Sequence, residues 1–165
     1  YSDQMEDLLL RLAEKLNLTR KQKKKLILLA QSHDIGKISV PTEIFEKESA
    51  LNQKEVEKLK DHCEYGYRIS HSLPELSDIA EEILTHHENW DGSGYPKGLK
   101  GEEIPFLARI IAVVDSYLEF KKNGDDEQKS NSDKEALEKI KSGAGSKFDP
   151  QIAEKFIELL EVMLV

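Results

Sequence analysis

Cysteine is almost absent from this chain: Cys63 is the only one in 165 residues. With no second thiol, an internal disulfide is impossible, which fits a reducing, cytoplasmic compartment. Arginine is nearly as scarce, occurring only at Arg11, Arg20, Arg68 and Arg109. Long apolar runs are missing as well. Nothing approaches the roughly 20 residues of a membrane span, and no signal-peptide pattern is visible. Strand-like alternation and tandem repeats are absent. Basic excess is absent too: the net charge is −8. That argues against a general nucleic-acid binder, which carries a basic face, so no DNA partner is expected. An anionic substrate would need local positive charge, from metal ions or a placed lysine.

What is present is helical period. Met5, Leu8, Leu9, Leu12 and Leu16 define a first helix over about 3–17. Thr19 with Gln22 reads as a capping box for a second, which delivers His33 and Asp34 near its end. A short helix is expected at 42–47, and Asn52 with Glu55 caps one running towards Ile69. Leu76, Ile79, Ala80, Ile83 and Leu84 form a stripe that ends at His86-His87. Residues 89–104, rich in glycine, read as a structured loop. Pro105 suits the first position of the next helix, where Ala108, Ile111, Ala112 and Asp115 share a face. Residues 121–132 have no apolar side chain and read as a solvated loop. Ser132 with Glu135 reads as a cap, and Asp149-Pro150 as another that opens the last helix. The expected class is all-α, one domain over 1–165, a bundle of about six to eight helices. Tyr1 already lies in the amphipathic pattern, so the segment is expected to be the output module of a longer protein.

Five histidines are present, and three of them sit in two clusters with carboxylates, His33-Asp34 and His86-His87-Glu88. A single His-Asp pair at a helix end is ordinarily a cap with a solvated imidazole. Two adjacent histidines are harder to place in a core, because each needs a hydrogen-bond partner. Asp115 interrupts an apolar helix, where a carboxylate must be paired, with Arg109 or a lysine for example, or bound to metal. His62 alone would read as a half-buried histidine. Taken together, His33, Asp34, His62, His86, His87 and Asp115 come from four helices that can converge. Mixed imidazole and carboxylate donors point to iron, manganese, zinc or nickel, and not to a closed structural zinc site. A carboxylate shared by two metals would allow a metal pair to activate water and clamp a phosphoryl group. Lys37, one turn past Asp34, can meet a phosphate oxygen.

These residues resemble the HD-GYP domains, a branch of the HD superfamily of metal-dependent phosphohydrolases. The likeness rests on HDIGKISVP at 33–41, HHENWDGSGYPKGLKGEEIP at 86–105, LARIIAVVDSY at 107–117 and FDP at 148–150. The resemblance implies an HD-like helical bundle that hydrolyses cyclic di-GMP, or a related cyclic dinucleotide, through a metal-bridging hydroxide at one or two divalent ions. The family's ligand positions fall on His33, Asp34, His62, His86, His87 and Asp115, and its active-site lysine on Lys37, with Asp34 and Lys37 expected to act in catalysis. Asp91, Gly92, Gly94, Tyr95 and Pro96 form the loop expected to meet substrate or partner. Implied partners are diguanylate-cyclase (GGDEF-type) domains and an upstream sensor or receiver domain. Three departures accompany the match. A metal-binding histidine of the family's opening helix falls on Tyr1, a second Asp falls on Leu118, and no arginine follows Arg109. The alternative expectation is therefore a degenerate member that binds metal, nucleotide or a protein and relays a signal without turnover.

Overall fold

The computed structural model describes residues 2–45, 47, 49–122 and 129–163. Nine α-helices occur among them: α1 (Ser2–Lys15), α2 (Arg20–Ser32), α3 (Thr42–Phe45), α4 (Gln53–Lys60), α5 (His62–Ser72), α6 (Ala80–Thr85), α7 (Phe106–Lys122), α8 (Lys129–Gly143) and α9 (Pro150–Met163). Three 3-10 turns, Ile35–Ser39, Ser77–Ile79 and Gly101–Glu103, punctuate them. No strand is present among the described residues; a lone bridge joins Ala144 and Phe148. The all-α expectation holds. The helix count exceeds the expected range because the segment read as one helix is broken at Asp61 into α4 and α5.

Helix α7 is the axis of the bundle. Eight of its apolar side chains, including Ile110, Ile111, Val113 and Val114, are buried. It packs against α1, α2, α6, α8 and α9. The α1 stripe of Met5, Leu8, Leu9 and Leu12 inserts into the same core, as do Phe148, Phe156 and Leu160 from the C-terminal end. Each such fully buried side chain contributes about 1.5–3 kcal/mol relative to exposure.

Two of the expected capping boxes are formed. The Thr19 hydroxyl accepts from the Gln22 N–H while the Gln22 side chain accepts from the Thr19 N–H. Asn52 and Glu55 repeat this at α4. Asp149 caps α9, its Oδ1 accepting from the N–H groups of Gln151 and Ile152. Two other expectations shift. Pro105 lies just before α7, and its carbonyl receives the Arg109 N–H. Residues 121–122 belong to α7 and 129–132 to α8, so only 123–128 of the expected loop remain, outside the described residues. Ser132 therefore lies inside α8 and is not its cap. The segment has no apolar period, so nothing in it marked these helical turns.

The broken geometry of the bundle matters for the site. The end of α2, the start of α5, the end of α6 and the middle of α7 meet at one place. The Ile35–Ser39 turn lies flat on α5 because Gly36 has no side chain: a Cβ there would strike the His62 carbonyl oxygen and the Gly66 nitrogen.

Candidate metal centre

His33 closes α2, His62 opens α5, His86 follows α6, and Asp115 projects from α7. The imidazoles of His33, His62, His86 and His87 form a continuous cluster, with ring centroids 4.1–5.4 Å apart. All four histidines expected at the site are thus brought together. His71, the fifth, lies elsewhere, stacked on Tyr67.

Three of these rings are held in the same way. The Nδ1–H of His33 donates to the Ala30 carbonyl at 2.9 Å, that of His62 to Leu59 at 2.6 Å, and that of His86 to Ile83 at 2.6 Å. A carbonyl can only accept, so each contact fixes the proton on Nδ1 and leaves an Nε2 lone pair facing the cluster. His62 Nε2 and His86 Nε2 then face each other across 3.4 Å. Two lone pairs at that distance repel unless a proton or a cation lies between them. Such anchoring of the second ring nitrogen is the usual support of a metal-binding imidazole.

The carboxylates complete the donor set. Asp34 Oδ2 lies 3.5 Å from His33 Nε2, while its Oδ1 lies 3.8 Å from His62 Nε2. Asp115 Oδ1 approaches His33 Nε2 at 3.8 Å. Asp34 therefore spans two half-sites: His33 with Asp115 on one side, His62 with His86 and His87 on the other. This is the arrangement a bridging carboxylate needs. Arg109, a possible partner for Asp115 from sequence, instead binds Asp149 at 2.8 Å. Lys37 Nζ donates to Asp34 Oδ2 at 2.6 Å and lines the cleft.

Electrostatics favour neutral imidazoles here. Burial lowers the pKa of His62, burial and the neighbouring His33 push His86 down to about 3, and burial depresses His87 strongly. Burial alone would raise the Asp34 carboxyl, but the neighbouring His33 and the hydrogen bond and charge of Lys37 outweigh it and hold it below the ordinary range. Neutral imidazoles beside an ionised carboxylate are the protonation states a divalent cation requires.

Some features were not read from the sequence. Cys63 adjoins the cluster, with Sγ 3.6 Å from His62 Nε2, but burial pushes its thiol up to about 12, so it stays protonated. Glu88 is the anchor of the glycine-rich loop. Its buried carboxylate accepts from the backbone N–H groups of Lys97 (2.7 Å), Gly98 and Leu99 (both 3.1 Å). The same loop is tied to the α8–α9 corner, where Trp90 N–H donates to the Lys147 carbonyl and Asp91 N–H to that of Ser146.

Among the five loop residues singled out, only Tyr95 lines the cleft, its ring stacked on His87 at 5.0 Å. Asp91 turns back to accept the Ser93 N–H, and Gly92 takes a positive φ of 87°. Gly94 packs directly on the backbone of Glu88 and Asn89, where any Cβ would collide. Pro96 faces a shallow outer groove beside Tyr65 and Arg68. Of the departures, Leu118 is buried in the apolar core, and Tyr1 lies outside the described residues. The cleft above the donors encloses about 500 Å³ and is lined further by Phe45, Glu119 and Lys147.

The comparisons agree with this geometry. The family model described as HD domain matches residues 1–152. A cyclic di-GMP phosphodiesterase of Thermotoga maritima is 38% identical over 151 residues, covering 90% of this chain and 41% of that protein. The 3'3'-cGAMP-specific phosphodiesterase 2 of Vibrio cholerae is 37% identical over 130 residues, covering 76% of this chain and 24% of that protein. The chain thus spans less than half the length of these relatives. Its fold matches a solved HDGYP protein from Bdellovibrio bacteriovorus with a TM-score of 0.74 at 21% identity, over 97% of this chain and 51% of that one. The chain belongs to the HD domain family.

Proposed function

We propose that this chain is a metal-dependent phosphodiesterase domain that hydrolyses cyclic di-GMP, or a related cyclic dinucleotide, to a linear product. The observation that carries the reading is the set of Nε2 lone pairs from His33, His62 and His86, locked by their Nδ1–H bonds and spanned by Asp34. The ligand set we assign is His33, Asp34, His62, His86, His87 and Asp115. Bound divalent ions, iron or manganese by preference, supply Lewis acidity and an activated water at this place.

The chain's own residues do the rest. Asp34 joins the two halves of the donor set, and Lys37 both fixes Asp34 and presents an ammonium to a phosphate oxygen. The cleft fits a ligand with an anionic diester, since its floor is imidazole and Lys37 stands in its lining. Tyr95 closes one side with its ring. Leu118, where the motif is altered, is turned into the core and stays out of the cleft lining. The same reading makes the segment an output module within a longer cytoplasmic protein, with a sensor or receiver domain upstream and GGDEF-type domains as partners. No described helix is long and apolar enough to cross a membrane.

The test is anaerobic purification with iron or manganese, followed by chromatography of cyclic di-GMP and cyclic GMP-AMP digests. Linear product is expected from the wild type and not from a His33→Ala/Asp34→Ala double variant. Equal, background-level cleavage by both proteins would end the proposal.

A further inference from the structure

The cleft lining carries two charged groups that the metal chemistry does not use. Glu119 stands one turn beyond Asp115 on α7, and Lys147 stands at the α8–α9 corner. Both are exposed to solvent within the cleft. They lie close enough to feel each other's charge. Yet among the described residues neither side chain makes a hydrogen bond or an ion pair within 4.0 Å. The Lys147 ammonium is steadied from behind by the rings of Phe120 and Phe148, each 5.3 Å away. Its backbone is held by Trp90, so the group is placed rather than trailing. Phe45, 47% exposed on the short helix α3, offers an aromatic face at the mouth of the same cleft.

Resting on the cyclic dinucleotide reading above, we propose that Glu119 and Lys147 form a base-reading subsite that selects guanine. Guanine presents two donors side by side, N1–H and the N2 amino group, which a carboxylate accepts together. Next to them lie the O6 and N7 acceptors, which suit an ammonium. An adjacent carboxylate and ammonium therefore complement guanine along one continuous edge. Adenine reverses the pattern: its N1 lone pair would face the Glu119 carboxylate and its N6 amino group the Lys147 ammonium. Phe45 supplies the stacking surface, a contribution that every base shares and that gives affinity without selection. The assignment also accounts for a chain with no arginine after Arg109: the basic group on this side of the cleft comes from the segment before Phe148-Asp149-Pro150.

The experiment compares kcat/KM for cyclic di-GMP, cyclic GMP-AMP and cyclic di-AMP in the manganese-loaded full chain, with calorimetric binding of each to the metal-free protein. The wild type is expected to prefer cyclic di-GMP over cyclic di-AMP by tenfold or more. In Glu119→Gln the carboxamide pairs with adenine, so the ratio should move towards cyclic di-AMP by about tenfold, mainly through KM. Lys147→Ala should weaken cyclic di-GMP binding by about tenfold. A merely structural role would scale all three substrates alike. Cleavage of cyclic di-GMP with an unmoved ratio in Glu119→Gln would overturn this subsite and leave the proposed function standing. Failure of every cyclic dinucleotide to bind or react, with bis(p-nitrophenyl) phosphate still hydrolysed, would remove the proposed function and the subsite with it.

Discussion

Replacing Glu88 with alanine tests how the glycine-rich loop is held. The carboxylate is 3% exposed and accepts three backbone N–H groups, at 2.7, 3.1 and 3.1 Å. Hydrogen bonds to a charged group contribute about 1.5–3 kcal/mol each, and a buried donor left unpaired costs about 1–3 kcal/mol. Lys97 and Gly98 are exposed, so water can reach their freed N–H groups and the lower end of that range applies. Three donors at about 1 kcal/mol each give a loss of about 3 kcal/mol. For a chain of this length that lowers the melting temperature by about 6–12 °C. Glu88→Gln keeps one oxygen but turns an amino group towards backbone donors, so it should lose about 2 kcal/mol. The loss should be local before it is global. Hydrogen exchange of a peptide spanning 95–100 should accelerate in Glu88→Ala, while the α7 core stays protected. Tyr95 would lose its seat on His87, and the proposed phosphodiesterase activity should fall with it. A melting temperature within 2 °C of wild type, together with unchanged exchange at residues 97–99, would refute the reasoning.

Other expectations follow from the same geometry. The folded pKa of His86 lies near 3, below its ordinary value, and His62 and His87 are shifted the same way. Their contribution to stability is therefore complete above about pH 6.5 and is lost as pH falls towards the folded values. Urea titrations of metal-free protein should show stability dropping by up to about 1.4 kcal/mol per pH unit for each of these histidines below pH 6. A flat profile from pH 7 to 4 would contradict their burial as neutral rings. Gly36→Ala should push the Ile35–Ser39 turn off α5, costing about 1–3 kcal/mol and lowering manganese affinity more than tenfold by calorimetry, since Asp34 and Lys37 ride on that turn. Manganese at a hundredfold excess over its dissociation constant should add about 2.7 kcal/mol, reversed by a chelator and absent in His62→Ala/His86→Ala.

Much of this was written in the order of residues. The stripe from Met5 to Leu16 and the caps at Thr19 and Asn52 are local signals, and they became α1, α2 and α4 where expected. The convergence of His33, His62, His86 and His87 was legible because imidazoles and carboxylates in apolar surroundings have few other uses. The break at Asp61 was not, because nothing in its neighbourhood departs from helical period. It falls one residue before His62, whose ring reaches back three residues to the Leu59 carbonyl. Glu88 stood beside two histidines and drew attention to them instead of to its own backbone partners. Lys147 was one lysine in a lysine-rich chain, and only the meeting of α7 with the α8–α9 corner places it in the cleft. The first turn of α8 is polar throughout, so its helix was silent in the hydrophobic pattern.

The anchored rings have a consequence for how an ion enters. Cation capture by a protein commonly expels protons, because donors must shed them first. Here the imidazole protons of His62 and His86 are already committed to carbonyls of their own chain, on the nitrogen that faces away from the cluster. At neutral pH nothing on those two rings has to leave. Calorimetric uptake of manganese in buffers of different ionisation enthalpy should therefore give nearly the same heat, with little exchange of protons between the rings and the solvent.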